Sequence, residues 1–237
     1  MSSAAETVSS YPPLNVRVRM PGLSLLGATD ALLERLVPTV RKGVATQAPW
    51  PFDDPMSLYK DGPEREWSWL RRIWTGRGRV DDGFWRLYFV VVVDDEPVGM
   101  QDLIGVDFSV HGTVTTFSWL SPEMRGRGLG RLMRQAVLHL AFEGLGAREA
   151  ESEAFVDNHA SNRVSAAVGY RPNGSGRATR RGEPAELNRW LLTRERWLPG
   201  RRDDVELAGV AACLPVLGIR RGDRSAGGGT LPISPAS

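Results

Sequence analysis

The sequence predicts a mixed α/β (α+β) fold, and three observations support this class. Residues 85–120 contain several short alternating or β-branched runs, which are typical of strands. A glycine-rich loop at 125–130 follows and leads into residues 131–142, where apolar side chains recur at helical spacing. The 237 residues are 41% hydrophobic and 24% charged, as in ordinary globular proteins. One domain with tails is expected.

Composition excludes several classes of protein. The net charge is only +2, because 30 Lys and Arg nearly balance 28 Asp and Glu, so nothing indicates a nucleic-acid partner. The single cysteine, Cys213, excludes an internal disulfide framework, and the three histidines have no metal-binding spacing, so no metal is predicted. The apolar run 87–93 is too short to span a bilayer, and residues 1–13 lack the features of a signal peptide. We therefore expect a cytoplasmic protein with a disordered leader at 1–13.

The first half of the chain predicts one strand and two helices. Residues 16–26 form a first strand that continues beyond Pro21-Gly22, and a helix begins near Asp30, with a kink or an early end at Pro38. The proline- and aromatic-rich segment 47–55 is irregular and is a candidate wall of a substrate site. A second helix covers 64–79.

The strands continue on both sides of the glycine loop. Residues 85–93 and 98–108 form a hairpin, and residues 113–120 form the strand that enters the loop. After the loop and its helix, the sequence predicts a strand at 149–155, a short helix at 160–168, a turn at 172–174, and a closing hairpin of 177–181 with 186–193. Beyond it, 201–219 is an apolar extension that packs on the domain or on a partner subunit, and 220–237 is a disordered tail.

The glycine loop has the properties of an anion site. Its three glycines let the backbone approach a bulky anion, and the first turn of the following helix directs N–H groups and positive dipole toward it. We predict a diphosphate cradle formed by Arg125, Gly126, Arg127, Gly128, Leu129, Gly130 and Arg131. The alternative is a glycine-rich turn followed by a basic, solvated helix start.

Two motifs resemble one protein family. The loop has neither the Lys-Ser/Thr of a P-loop nor the glycine spacing of a dinucleotide fold. The pattern Arg125-x-x-Gly128-x-Gly130 after a strand resembles motif A of the GNAT superfamily of acyl-CoA-dependent N-acyltransferases. Asn158-x-x-Ser161-x-x-Val164, followed by Gly169-Tyr170, is similar to the signature of the branch that includes the ribosomal-protein N-terminal acetyltransferases (RimJ/RimL-like).

The resemblance implies a fold and a donor site. It implies a GNAT domain over 14–200, with a mostly antiparallel sheet of six to seven strands flanked by helices and splayed at its centre. It assigns the pantetheine arm of acetyl-CoA or another acyl-CoA to Trp119 and Leu120, and the pyrophosphate to residues 125–131. Asn158 hydrogen-bonds the pantetheine or lies at the helix start, where Ser161 also belongs.

The resemblance also implies the chemistry. An acetyl group, with succinyl as an alternative, passes directly from CoA to an amine of a protein N-terminus, a lysine or a small molecule. Glu153 is the candidate general base and Ser165 the candidate acid, although serine is a poor acid and many GNAT enzymes hold a tyrosine there. A homodimer is expected from the family. The rival interpretation is a CoA-binding sensor or interaction module without turnover.

Overall fold

The computed structural model describes residues 8–44, 50–52 and 56–220, and it confirms the mixed α/β fold class. Nine strands form one open sheet in the order β7-β8-β6-β5-β4-β3-β2-β1-β9. All the neighbouring strands pair antiparallel except β5 and β6, which are parallel. The strands are β1 (Arg17–Met20), β2 (Leu23–Gly27), β3 (Phe84–Val93), β4 (Glu96–Val106), β5 (Thr113–Leu120), β6 (Glu149–Phe155), β7 (Arg171–Arg180), β8 (Glu183–Thr193) and β9 (Glu206–Ala208).

Helices cover both faces of the sheet. They are α1 (Asp30–Lys42), α2 (Gly62–Gly78), α3 (Phe108–His111), α4 (Leu129–His139), α5 (His159–Ala167), α6 (Arg194–Trp197) and α7 (Val210–Cys213). Buried side chains of α1 and α2 form a core on one face, together with Tyr88, Val90 and Met100 of the sheet. Buried side chains of α4 form a second core on the other face. We call these two sides the α1/α2 face and the α4 face.

The sheet has more strands than the six to seven expected. The stretch predicted as one strand at 16–26 is a hairpin, because Gly22 has a φ of +82° and turns the chain so that Met20 pairs with Leu23. The C-terminal extension adds β9, which pairs with β1. These two features lie at one edge of the sheet, away from its centre.

Proline 38 does not end α1, contrary to one of the two outcomes expected for it. Thr29 caps the helix by accepting a hydrogen bond from the Leu32 N–H, and the helix then continues to Lys42. Pro38 has no N–H to donate to the carbonyl group of Glu34. Both residues are exposed, so this carbonyl group is on the solvent side of the helix. The buried side chains Leu33, Leu36, Val37 and Val40 hold the helix on the sheet.

The helix after the glycine loop changes its winding before it ends. α4 continues into a π-helical segment, Leu140–Leu145, which stops at Gly146 in the left-handed conformation. The closing hairpin predicted from 177–181 and 186–193 is confirmed by the pairing of β7 with β8, and its turn is at Arg181-Gly182. The turn predicted at 172–174 is wrong, because these residues belong to β7, which has a bulge between Pro172 and Ser175. The bulge places Asn173 and Gly174 opposite Arg189 and so shifts the register of β7 against β8 by one residue.

Both ends of the described chain pack on the domain. Leu214 and Leu217 of the C-terminal extension are buried in the α4-face core. Cys213 is also fully buried, and this burial raises the pKa of its thiol to about 12, so the thiol stays protonated at neutral pH. In the predicted leader, the Ser9 N–H donates to Asn15 and the Tyr11 hydroxyl donates to the Arg77 carbonyl. Among the described helices, none has the length and apolar character needed to cross a membrane.

Candidate functional site

The centre of the sheet opens between β5 and β6. The two strands pair only from Thr113 to Thr115 with Glu149 to Glu151, and no further pairs join them in the described chain. Each strand keeps its outer neighbour: β5 pairs with β4 as far as Leu120, and β6 pairs with β8 as far as Phe155. We call this opening the fork. The splay expected at the centre of the sheet is therefore present, and the backbone of β5 that faces β6 is left without a strand partner.

The glycine loop lies at the open end of the fork. Turn hydrogen bonds from the N–H groups of Met124 and Arg125 precede it, and bonding resumes where the Arg131 N–H donates to the Gly128 carbonyl. Between them, the N–H groups of 126–130 have no acceptor among the described residues. Gly128, with a φ of +78°, is the N-cap of α4. Five consecutive free donors at a helix N-terminus have the geometry that suits an anion.

The three arginines of the loop have different positions. Arg127 and Arg131 are exposed, and no carboxylate of the described residues lies within 4.0 Å of either guanidinium. Arg125 instead donates from Nε and Nη2 to the Leu120 carbonyl, at 3.2 and 3.1 Å, and from Nη2 to the Val44 carbonyl. Two arginines are thus available to an anion, and the third holds the loop against the end of β5.

The residues predicted to hold the pantetheine arm lie on the open edge of β5. Trp119 and Leu120 are 5% and 7% exposed, and their side chains point to opposite faces of the sheet. Trp119 packs in the α1/α2-face core and Leu120 in the α4-face core. Both side chains are committed to packing, so what they offer a ligand is mainly backbone.

Asn158 begins α5, as one of its two predicted roles requires. Its Oδ1 accepts a hydrogen bond from the Ser161 N–H at 3.1 Å, which is an N-cap. Its Nδ2 donates to the carbonyl of Pro51 at 3.0 Å. Both polar atoms of the side chain therefore bind protein, and Ser161 contributes its backbone to the cap.

The Pro51 contact anchors a short segment, Trp50–Phe52, which we call the strap. Phe52 packs edge-on against Phe117 of β5, with ring centroids 5.5 Å apart, and Trp50 stacks on Tyr59 at 3.5 Å. Phe117 belongs to the α1/α2 face, so the strap crosses that face beside the fork. The rest of the predicted wall, 47–49 and 53–55, lies outside the described residues.

Arginines of the closing hairpin also hold the strap. Arg180 forms a two-pronged ion pair with Asp157 at 2.9 and 3.0 Å, and its Nη1 also contacts the Trp50 carbonyl at 3.4 Å. The hydrogen bonds from Arg180 lower the pKa of the Asp157 carboxyl, so the pair is ionised at neutral pH. The guanidinium of Arg181 lies 3.4 Å from the centroid of the Trp50 ring.

Glu153, the predicted base, lies two residues beyond Glu151, the last residue of β6 that pairs with β5. Its carboxylate is half exposed and accepts a hydrogen bond from Arg189 Nε at 3.0 Å. It alternates with Ser152, whose side chain contacts Arg134 of α4, so Glu153 points to the α1/α2 face. The strap lies on that same face.

Ser165, the predicted acid, lies on the opposite face in a buried polar cluster. It is fully buried, and its Oγ lies 3.5 Å from the Oγ of Ser152. Ser152 in turn accepts a hydrogen bond from Arg134 Nη1 at 3.0 Å. Sequence reasoning did not find Arg134 or Ser152. One signal in the sequence could have found Arg134. Arg134 lies three residues before the apolar Val137, and this spacing places a charged side chain on the buried face of α4.

The fold and the site together define an acyltransferase of the GNAT class, with a forked sheet and a glycine loop of unpaired N–H groups at the start of the following helix. The family model for the acetyltransferase (GNAT) domain matches residues 35–171. Because this match covers more than half of the chain, the protein belongs to this family. Its membership of this family identifies it as an N-acetyltransferase enzyme. Among the described residues, no group of three or more His, Cys, Asp or Glu side chains is placed to hold a metal ion.

Solved structures share the fold at low sequence identity. The ribosomal L7/L12 α-N-protein acetyltransferase RimL, in complex with coenzyme A, is 18% identical with a TM-score of 0.58, over 73% of this chain and 94% of that one. The Vibrio cholerae spermidine N-acetyltransferase, in complex with CoA and spermine, is 16% identical with a TM-score of 0.57, over 75% and 98%. The microcin C7 self-immunity acetyltransferase MccE, in complex with acetyl-CoA and AMP, is 13% identical with a TM-score of 0.57, over 73% and 93%. Because these proteins have different names and ligands, they do not single out the ribosomal-protein branch.

Proposed function

We propose that this protein transfers an acetyl group from acetyl-CoA to a primary amine at the fork. The observation that carries the proposal is the run of five free N–H groups at 126–130, which lies at the open end of the fork. The exposed side chains of Arg127 and Arg131 add positive charge there. Such an array suits a pyrophosphate, and the fork beside it suits an extended pantetheine chain. The complexes of RimL and MccE with CoA and acetyl-CoA support the same ligand.

The donor would bind along two parts of the site. The pyrophosphate takes the N–H groups of the loop and the charges of Arg127 and Arg131, while Arg125 fixes the loop to β5. The pantetheine follows the open edge of β5 at Trp119 and Leu120. Asn158 and Ser161 contribute by forming the start of α5 on the other side of the fork.

The acceptor amine would approach from the α1/α2 face. Its nitrogen lone pair attacks the thioester carbonyl, a C–N bond forms, and the C–S bond breaks with its electron pair moving to sulfur. The nitrogen gives one proton to Glu153, which passes it to solvent, and the sulfur takes one proton from solvent, so the products are an amide and free CoA. Arg189 Nε donates a hydrogen bond to the Glu153 carboxylate and so helps to hold it in place on the α1/α2 face.

Acetyl is the acyl group that the pairing of charges favours. The closing hairpin carries Arg177, Arg180 and Arg181, and a guanidinium is the group that could bind the free carboxylate of a succinyl group. Arg180 already binds Asp157 through both prongs, and Arg181 stacks on Trp50. Their contacts within the protein favour a donor without a carboxylate. The acceptor amines to assay are a protein N-terminus, a lysine and a polyamine.

Calorimetry with acetyl-CoA, succinyl-CoA and free CoA tests the donor site. Gly128→Val places a β-branched residue at a φ of +78° in the loop, and Gly22→Val is the matched control at +82° in the β1–β2 turn, where a Cβ also meets nothing within 4 Å. We expect Gly128→Val to weaken acetyl-CoA binding at least about tenfold, or about 1.4 kcal/mol, and Gly22→Val to leave it unchanged. Equal binding by the two variants, or no binding of any CoA species by the wild type, would overturn the proposal.

Turnover separates the enzyme from the rival binding module. Release of free CoA thiol should depend on added amine, and it should fall in a Glu153→Gln variant that still binds acetyl-CoA. A wild-type protein that binds acetyl-CoA but releases no thiol with any of the three acceptor classes would favour the sensor or interaction module.

A further inference from the structure

Arg134 is a buried cation without an anionic partner. The residue is only 4% exposed, on the face of α4 that packs on the sheet. No carboxylate of the described residues lies within 4.0 Å of its guanidinium; its contacts are the Ser152 hydroxyl, at 3.0 Å, and the Tyr170 ring, whose centroid is 5.7 Å away. Burying an arginine without a counter-charge is costly, so its presence here calls for a functional explanation.

The groups around Arg134 are polar and incompletely satisfied. Thr116, Ser152, Ser165 and Tyr170 are all less than a tenth exposed. Thr116 Oγ1, Arg134 Nε and the Tyr170 hydroxyl are buried and have no hydrogen-bond partner in the described chain. Burial raises the pKa of the Tyr170 hydroxyl, and the nearby Arg134 and Thr116 side chains offset part of this rise. Buried polar groups left over in this way are typical of a site that a ligand completes.

This cluster lies at the closed end of the fork. Thr115 and Glu151 are the last paired residues of β5 and β6, so Thr116 and Ser152 are the first residues beyond the point where the strands separate. Both alternate in phase with Val114 and Ala150, which are buried in the α4-face core. Ser165 reaches the same point from α5. A chain entering the fork from the glycine loop therefore ends beside these hydroxyl groups.

The hydrogen bonds determine which groups of the cluster donate and which accept. A guanidinium can only donate, so Ser152 Oγ must accept from Arg134. Ser152 Oγ also accepts from the Ser165 hydroxyl at 3.5 Å, which leaves the hydrogen of Ser152 to donate away from the cation. The positive charge polarises these hydroxyl groups as donors toward whatever atom occupies the fork.

We propose that Arg134, acting through Ser152 and Ser165, stabilises the thiolate of CoA as it leaves. This proposal rests on the proposed function and deepens it. When the C–S bond of the tetrahedral intermediate breaks, its electron pair becomes negative charge on sulfur, and a hydroxyl of the pair donates a hydrogen bond to that sulfur. Arg134 is a positioning residue in this scheme, and the serine pair, which is held by the buried charge, replaces a stronger acid.

The thiol of bound CoA reports on this directly. The titratable groups that face the cluster are Arg134 and Tyr170, since Glu151 and Glu153 alternate onto the opposite face. We expect the pKa of the CoA thiol, followed by thiolate ultraviolet absorbance, to be lower by at least about one unit when CoA is bound than when it is free. An unchanged or raised thiol pKa in the wild-type complex would overturn the proposal, while failure to bind CoA at all would contradict the proposed function instead.

Desulfo-CoA lacks the thiol sulfur, so comparing its affinity with that of CoA isolates the contribution of the thiolate to binding. In Arg134→Gln, the affinity for CoA above the thiol pKa should fall about tenfold, while the affinity for desulfo-CoA should stay within about twofold of wild type. Arg134→Lys should retain most of the preference for CoA. Arg163→Gln removes an exposed arginine from α5 and is the control, with both affinities unchanged.

Ser152→Ala keeps the guanidinium and removes the connecting hydroxyl. It should raise the bound thiol pKa in the same direction as Arg134→Gln, and it decides the question if Arg134→Gln does not fold. Equal losses for CoA and desulfo-CoA in both variants would show a merely structural role and would contradict the proposal.

Discussion

Each face of the sheet encloses an arginine, and the two differ in their partners. On the α1/α2 face, Arg86 of β3 donates from Nε and Nη2 to Asp102 of β4 at 2.9 and 2.5 Å. On the α4 face, Arg134 meets hydroxyl groups and a tyrosine ring, without a carboxylate among the described residues. The Arg86 and Asp102 side chains are 14% and 4% exposed, so both faces remove a guanidinium from most of the solvent.

The difference distinguishes a structural charge from a functional one. In an ion pair the two charges largely cancel within the protein, whereas a buried cation that contacts only neutral groups retains its field. The paired arginine lies on the face where the acceptor would bind, and the cation without a carboxylate lies where the thiolate would form. The donor side is thus electrostatically prepared for negative charge.

The largest expected effect tests this comparison through stability. Asp102→Ala should lower the free energy of unfolding by about 3 to 5 kcal/mol, because it leaves Arg86 as an uncompensated charge. Arg134→Gln should change it by less than about 1 kcal/mol, or raise it, because it removes a charge that already lacks a carboxylate. Urea unfolding measures both.

Replacing the Arg86–Asp102 ion pair with an apolar pair tests whether this pair has a structural role. Arg86→Met combined with Asp102→Leu should recover most of the stability that Asp102→Ala loses, since a well-packed apolar pair can replace a buried ion pair. If Asp102→Ala and Arg134→Gln had equal costs, the distinction between the two arginines would fail.

A smaller effect concerns the strap. Asn158→Asp keeps the Oδ1 acceptor that caps α5 but replaces the Nδ2 donor to the Pro51 carbonyl. We expect the KM for the amine to rise about threefold to tenfold, or about 0.7 to 1.4 kcal/mol for one lost hydrogen bond, with little change in acetyl-CoA affinity. Steady-state kinetics and calorimetry separate the two.

Asn158→Ala is the companion variant. It removes both the cap and the anchor, so it should also lower the free energy of unfolding by about 0.5 to 2 kcal/mol. A change in acetyl-CoA affinity in Asn158→Asp, with the amine KM unaffected, would place Asn158 in the donor site rather than at the strap.

The donor side could be predicted from sequence because its parts are close in the chain. Strand, loop and helix occupy 113–139 without interruption, and the hydrophobic period and the glycines define each of them. The N-cap by Asn158 is equally local, since it joins residues three apart. The fold class and family followed from these segments.

The contacts that pair the rest of the site are distant in sequence. The Asn158 to Pro51 bond spans 107 residues, and the Arg180 contact with Trp50 spans 130. The pairing of Arg86 with Asp102 depends on the register of two strands, and that of Arg134 with Ser152 on the packing of a helix over a fork. Residue type and spacing do not determine such pairings, which arise from the tertiary fold. The homodimer, the domain limits and the roles of individual site residues stay predictions.

Hydrogen exchange with and without acetyl-CoA tests the central claim most directly. The claim is that the free N–H groups of 126–130 and the open edge of β5 bind the donor. We expect acetyl-CoA to slow exchange of amides in 126–130 and 117–120, and to leave the β1–β9 edge, at 17–19 and 206–208, unchanged. Binding of acetyl-CoA with no protection in either of the first two segments would contradict the account.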